Sequence, residues 1–155
     1  MPMNDTYNDP VEARKKAMDY LARREHGRVE LTAKLEASGF DGAVAEAAIA
    51  GLVEDGLQSD ARYVEAFVRS RIEQGKGPMR IRADLRARGI EDRLIEGGLA
   101  DSGEDWTVLA RQVRLKKFGP DTPRAFSDKA RQMRFLESRG FDGDQIRAAV
   151  SAMDD

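Results

Sequence analysis

The sequence predicts an all-α protein: a tandem array of three three-helix repeats, nine helices in all, elongated and curved. Three observations lead there. One phrase is written three times, as Leu35-Glu-Ala-Ser-Gly39-Phe40-Asp41-Gly42, as Leu85-Arg-Ala-Arg-Gly89-Ile90-Glu91-Asp92 and as Leu136-Glu-Ser-Arg-Gly140-Phe141-Asp142-Gly143. The glycines recur at a near-constant period, Gly39, Gly89, Gly140, which marks an array of small units rather than one irregular globule. Apolar residues follow i, i+3, i+4 spacing, and no stretch alternates as a strand does.

The polar segment 1–9 is expected to be a disordered tail. Repeat one spans 10–57, with helices over roughly 10–26, 28–38 and 42–54; Asp9-Pro10 opens it, with proline at a first turn where its missing N–H costs nothing. Repeat two spans 58–101, with helices over roughly 60–74, 78–88 and 92–101. Ser59-Asp60 caps its first helix, Gly75-Lys76-Gly77 breaks the chain, and Pro78 starts its second helix. Repeat three spans 102–155, with helices over roughly 104–118, 124–139 and 143–153; Gly119-Pro120-Asp121-Thr122-Pro123 is its breaker and the longest loop.

The repeated phrase has a physical reading. Glycine just past a helix end takes the left-handed conformation without steric cost. The next residue then touches the side chain five positions back, pairing Leu35 with Phe40, Leu85 with Ile90 and Leu136 with Phe141. An acidic N-cap follows (Asp41, Glu91 or Asp142), and the same apolar residue staples onto Ala45, Ile95 or Ile146. Glu91 is the weakest cap by residue type, and Asp142 with Gln145 has capping-box spacing. The expected core of repeat two is Tyr63, Val64, Phe67, Val68, Ile72, Ile81, Leu85, Ile90, Ile95 and Leu99. That of repeat three is Trp106, Leu109, Ala110, Val113, Phe135, Leu136, Phe141, Ile146 and Val150.

Composition bounds the function. Charged residues make up 35% of the chain and aromatics 6%, which suits thin aliphatic cores shared between neighbouring units. Without cysteine there is no disulfide or thiolate metal site, and no apolar run approaches the ~20 residues of a membrane helix. The polar N-terminus lacks the pattern of a secretory signal, so a cytoplasmic protein is expected. The overall charge of −2 argues against a generic nucleic-acid binder. Acidic residues predominate in 1–57, while basic residues cluster locally further on.

Catalysis finds no motif. His26 stands alone at a predicted helix end, where a cation or donor complements the last carbonyls, and no serine or cysteine nucleophile accompanies it. No His/Cys/Asp cluster has metal-ligand spacing, so no metal and no cofactor are expected. Gly75-Lys-Gly77-Pro-Met-Arg80 lacks the spacing of a Walker loop. It reads foremost as one helix ending and another beginning. The alternative is an anion site at a helix N-terminus, with Lys76 and Arg80 beside it.

Three basic runs are the strongest surface signal: Lys76, Arg80, Arg82, Arg86 and Arg88; then Arg111, Arg114, Lys116 and Lys117; then Arg124, Lys129, Arg131, Arg134 and Arg139. Each alone is an ordinary solvated face, but three in two repeats suggest an anionic partner. The corners do not read DNA bases. The helix after the glycine carries Asp41, Glu46, Glu54 and Asp55 in repeat one, and in repeat two Glu91, Asp92, Glu96 and Asp101 against Arg93. Phosphates would repel helices of that charge.

The segment Asp60-Ala-Arg62-Tyr63-Val-Glu-Ala-Phe67-Val-Arg69-Ser-Arg71, followed by Gly75-Lys-Gly77-Pro-Met-Arg80-Ile81-Arg82-Ala-Asp-Leu85-Arg-Ala-Arg88-Gly89-Ile90, resembles the signature of the RecX family. Arg134-Phe135-Leu136-Glu-Ser-Arg139-Gly140-Phe141-Asp142-Gly-Asp-Gln145-Ile146 is similar to that family's C-terminal motif, and the resemblance extends over about 11–153. It implies three tandem three-helix repeats and a non-enzymatic modulator, mainly an inhibitor, of the RecA recombinase. Such a protein lies in the groove of the RecA filament on single-stranded DNA and suppresses ATPase, strand-exchange and co-protease activities. A monomer with weak direct DNA binding is expected. Arg80, Arg82, Arg86 and Arg88, with Lys76 beside them, are expected to form one contact surface. Arg111, Arg114, Lys116, Lys117, Arg131 and Arg134 are expected to form a second. The rival expectation is a nucleic-acid-binding module that acts without RecA.

Overall fold

A computed structural model of the chain describes residues 5–151, and every regular element among them is helical. A 3-10 turn, Asp5–Asn8, precedes α1 (Pro10–Arg23), α2 (Arg28–Ala37) and α3 (Gly42–Glu54). The middle set is α4 (Asp60–Glu73), α5 (Pro78–Ala87) and α6 (Asp92–Asp101). The last is α7 (Trp106–Phe118), α8 (Phe126–Ser138) and α9 (Gly143–Val150). All nine expected helices are present among the described residues. The chain folds into two compact units, one comprising residues up to 66 with 86–94, the other 67–85 with residues from 95 onward. The division therefore falls within the middle repeat.

In the first unit α1 packs on α3 and α2. Their core is Ala13, Ala17, Leu31, Leu35, Phe40, Ala45, Ala48, Ile49 and Leu52, in which four alanines leave room for close helix approach. Asp9 caps α1 by accepting from the Val11 N–H at 2.9 Å. The first corner forms as the sequence predicts. Gly39 has φ +108°, the Phe40 N–H donates to the Leu35 carbonyl at 3.1 Å, and the Gly39 N–H donates to Glu36 at 2.9 Å. Asp41 occupies the N-cap position of α3, but its side chain makes no capping bond. Its backbone N–H instead donates to the Tyr7 carbonyl at 3.1 Å.

Tyr7 is the element the sequence did not announce. Of the tail expected to be disordered, residues 1–4 lie outside the described residues, and 5–8 form the 3-10 turn. The Tyr7 ring meets Phe40 edge-on, with centroids 5.6 Å apart. It lies so close over Gly39 that a Cβ there would be 2.9 Å from the Tyr7 Cε1.

The corner of repeat two reuses this arrangement within the first unit. Gly89 has φ +77°, and a Cβ on it would meet the Val29 Cγ2 at 2.8 Å. Gly27, at the start of α2, lies against Ile90 and Tyr63. Asp60, the first residue of α4, accepts the Arg28 N–H at 2.8 Å and a bond from Gln58 at 3.0 Å, so α2 is capped from the next repeat. Gln58 also donates to the His26 carbonyl at 3.0 Å.

In the second unit α7 packs on α9 and α8 over Leu109, Ala110, Leu136, Phe141, Ile146, Ala149 and Val150. Trp106, Val113 and Phe135, expected in this core, are only partly buried. Asp105 caps α7 through the Val108 N–H at 3.1 Å. Asp142 and Gln145 form the reciprocal capping box that their spacing predicts, at 2.8 and 2.9 Å. Gly140 has φ +98°, and the Phe141 N–H reaches the Leu136 carbonyl at 3.2 Å.

Here too the second helix of one repeat docks on the next repeat's corner. The Gly77 N–H donates to the Arg139 carbonyl at 2.8 Å, and the Met79 N–H donates to the Gly140 carbonyl at 2.9 Å. The orphan donors of α5 are thus satisfied by orphan acceptors of α8. The approach needs glycine on both sides. A Cβ on Gly77 would enter the Gly140 carbonyl, and one on Gly140 would enter Arg80. Val29 at Gly89 and Arg80 at Gly140 are therefore equivalent contacts, and Tyr7 supplies a substitute at Gly39, where no repeat precedes.

Buried positions in the middle repeat follow the predicted stripe: Tyr63, Val64, Phe67, Val68, Ile81, Leu85, Ile90, Ile95 and Leu99 are each at most 7% exposed, whereas Ile72, expected with them, is only partly buried.

Candidate functional site

Docking of Gly77 and Met79 on α8 decides the reading of the Gly75–Arg80 segment. Two of the backbone donors that an anion would need at the start of α5 are already bonded to carbonyls. The segment is a joint between repeats and leaves those donors unavailable to a phosphate.

The predicted cations divide into two kinds. On α5 they are neutralised. Arg82 binds Glu96 through Nε and Nη2 at 2.8 and 2.9 Å. Arg86 binds Asp92 at 2.8 Å, and Arg80 lies 3.6 Å from Asp84. Such exposed pairs are worth about 0–1 kcal/mol each, so they are exchangeable but not vacant. Arg88 is half-buried.

On α7 and α8 the charges are mostly uncompensated. Lys116 and Lys117 are exposed in the last turn of α7, and Arg134 is exposed on α8; none has a carboxylate within 4 Å among the described residues. Complementing the α7 carbonyls accounts for the lysines structurally, though not for the cations gathered around them. Phe118 and Phe135 meet edge-on at 5.3 Å. Around that pair stand Lys117, 5.5 Å from the Phe135 centroid, Arg139, 5.1 Å from the same ring, and Arg131, 5.2 Å from Phe118. Arg131 also lies 4.0 Å from Asp128. The sequence placed Arg139 in a basic run but not on the contact surface; its i+4 spacing from Phe135 was the available signal.

One predicted residue leaves the surface and a second is half-buried. Arg114 is 8% exposed. Its guanidinium donates to the Gln132 side chain at 3.2 Å and to the Asp121 carbonyl at 3.3 Å, inside the third repeat. Arg111 is half-buried, and its Nε is shielded without a partner. Arg114 lies on the inward stripe of α7, four residues after the buried Ala110.

Lys76 is half-buried in the second unit. Burial, and then repulsion from Arg139, Arg80 and Arg71, holds its pKa below the ordinary lysine value. Lys76 therefore lies among like charges.

His26 is not a helix-end cation. It is 2% exposed, in the linker after α1. Its Nδ1–H donates to the Arg24 carbonyl at 3.0 Å, and Nε2 accepts from the Lys34 ammonium at 3.0 Å. Burial lowers its pKa and outweighs the bond to the Arg24 carbonyl, which raises it; the charges of Arg24 and Lys34 lower it further, and that of Glu30 opposes them. Neutral imidazole here is a structural bridge between the α1 end and α2. Among the described residues no three His, Cys, Asp or Glu side chains gather as a metal site, and no helix is long and apolar enough to cross a membrane.

Three models of one family match the chain in order: RecX, first three-helix domain, over 13–52; RecX, second three-helix domain, over 59–99; and RecX, third three-helix domain, over 104–150. The regulatory protein RecX of Halorhodospira halophila is 45% identical, covering 90% of this chain and 86% of its own length. That of Pseudomonas entomophila is 43% identical, covering 98% of both. The crystal structure of RecX from Lactobacillus salivarius superposes with a TM-score of 0.76 at 22% identity, over 92% of this chain and 95% of that one, a likeness of fold.

Proposed function

The chain belongs to the RecX family, and we propose that it is a non-enzymatic regulator that binds the RecA filament on single-stranded DNA and inhibits it. The observation that carries this reading is near-full-length similarity to regulatory proteins of that name, repeat by repeat. Loss of ATPase, strand exchange and co-protease activity would follow from occupancy of the filament by a protein that touches several protomers. A chain of small helical repeats suits that task, because each repeat can present its own contact. The protein acts as a cytoplasmic monomer.

The contact falls first on Lys116, Lys117, Arg134 and Arg139, which have no carboxylate within 4 Å among the described residues, with Arg131, 4.0 Å from Asp128, beside them. Arg80, Arg82 and Arg86 join by exchanging their present carboxylates for those of the partner. Arg114 is left out because its charge is spent internally.

Co-sedimentation with RecA–single-stranded-DNA complexes tests the proposal against a module that binds DNA alone. Retention on filaments at physiological salt, with binding to naked strands only at low salt, supports it. Tight, steeply salt-dependent binding to naked strands, unchanged by RecA, removes RecA from the account.

A further inference from the structure

The second unit contains a cleft of about 560 Å³. Its floor is apolar, made by Ile72, Leu109, Val113 and Phe135, and its rim carries Lys116, Lys117 and Arg139. We propose that this cleft is a docking site for an acidic peptide segment bearing one large apolar anchor residue. The anchor fills the floor and the flanking carboxylates meet the rim cations. The proposal stands beside the reading above and rests on it only in taking the partner to be a protein.

Size, charge and donor chemistry together select this occupant. The volume falls in the range of pre-formed ligand sites, and one aromatic or leucine side chain with its backbone fits it. Lys116, Lys117 and Arg139 have no carboxylate within 4 Å among the described residues, and Lys76 adds positive charge beside Arg139. The rim therefore attracts anions without first breaking ion pairs.

Nucleic acid fits less well. Phe135 already carries Lys117 and Arg139 against its ring and meets Phe118 at right angles, which leaves it poorly placed to stack a base. Glu73 and Glu104 also line the cleft. They interrupt any phosphate track, since a phosphodiester brings only acceptors. A peptide brings N–H donors that these carboxylates accept.

The test titrates the ¹⁵N-labelled full chain with the blocked peptide Asp-Glu-Phe-Glu-Asp, and separately with an oligothymidylate, following amide shifts. Expected are saturable shifts at Val113, Lys117 and Phe135 with the peptide. Affinity should fall at least about tenfold in the double variant Lys116→Glu, Lys117→Glu, which alters exposed side chains only. Gln112→Trp, at an exposed lining position, should block the cleft without touching the core. Replacing the peptide phenylalanine by alanine should also weaken binding at least about tenfold, the loss expected when an aromatic anchor no longer fills its pocket. Absence of saturable shifts overturns the proposal, as does equal affinity for the alanine peptide or for the charge-reversed variant. Oligothymidylate binding at the same amides, with no displacement by peptide, assigns the cleft to nucleic acid instead. Failure here leaves RecA inhibition by the same preparation as a separate measurement, so the two readings fall independently.

Discussion

Gly77→Ala removes no interaction on paper and adds one methyl group, yet it should be among the most damaging substitutions in the chain. Gly77 is buried, and its backbone is not left-handed, so alanine meets no torsional obstacle. The obstacle is the neighbouring corner: the new Cβ would enter the Gly140 carbonyl and lie 2.6 Å from the Phe141 nitrogen. Both are backbone atoms, with no rotamer through which to move aside. Overpacking of this kind costs about 1–3 kcal/mol. Relief by separation would stretch the Gly77–Arg139 and Met79–Gly140 bonds, each worth about 1 kcal/mol net. The sum is about 4 kcal/mol. With a urea m-value of about 2 kcal/mol/M, the midpoint should fall by about 2 M. Gly97→Ala is the control: it lies inside α6 with nothing within 4 Å of the added Cβ, and should gain about 0.5–1 kcal/mol. Urea titrations followed by circular dichroism read both. A Gly77→Ala midpoint indistinguishable from the parent would refute the idea that the repeats are joined by backbone-to-backbone docking.

Three further perturbations follow. Stability should be full above about pH 6.5, the ordinary histidine value. It should decline as pH falls toward the lowered folded pKa of His26, because the unfolded chain takes up the proton first; His26→Gln should flatten that decline in thermal melts across pH, and an unchanged profile would contradict it. Tyr7→Ala should cost about 1–2 kcal/mol, since the half-exposed ring covers Gly39 and Phe40, and an unchanged urea midpoint would show that the turn is no cap. Gln132→Leu should destabilise by about 1–3 kcal/mol by removing a partner from the buried Arg114. Adding Arg114→Met should recover most of that loss in a double-mutant cycle, whereas additive costs would sink the pairing.

Much of the fold is local, and so was legible. Gly39, Gly89 and Gly140 announce left-handed helix ends, and the apolar residue after each ties its corner to nearby positions. Helix boundaries followed from Pro10, Pro78 and the breaks at Gly75–Gly77 and Gly119–Pro123. What escaped depends on residues distant in sequence. Nothing in a short polar tail says that Tyr7 will cover Gly39. The close approach of Gly77 to Gly140 is invisible in a segment that reads equally as a helix break. Arg114 escaped for another reason. Its charge points outward, but the buried Ala110, four residues before it on the same helix, marks the position as inward. Within the candidate surface, which cations lack carboxylates depends on non-local partners such as Glu96 for Arg82, so α5 reads from sequence as the equal of α7 and α8.

Regulation of RecA is tested most directly by single-strand-dependent ATP hydrolysis by the cognate RecA as this protein is titrated in. Inhibition should appear well below one molecule per RecA protomer, as a modulator of filament ends or of several protomers requires. No effect at any ratio would contradict it.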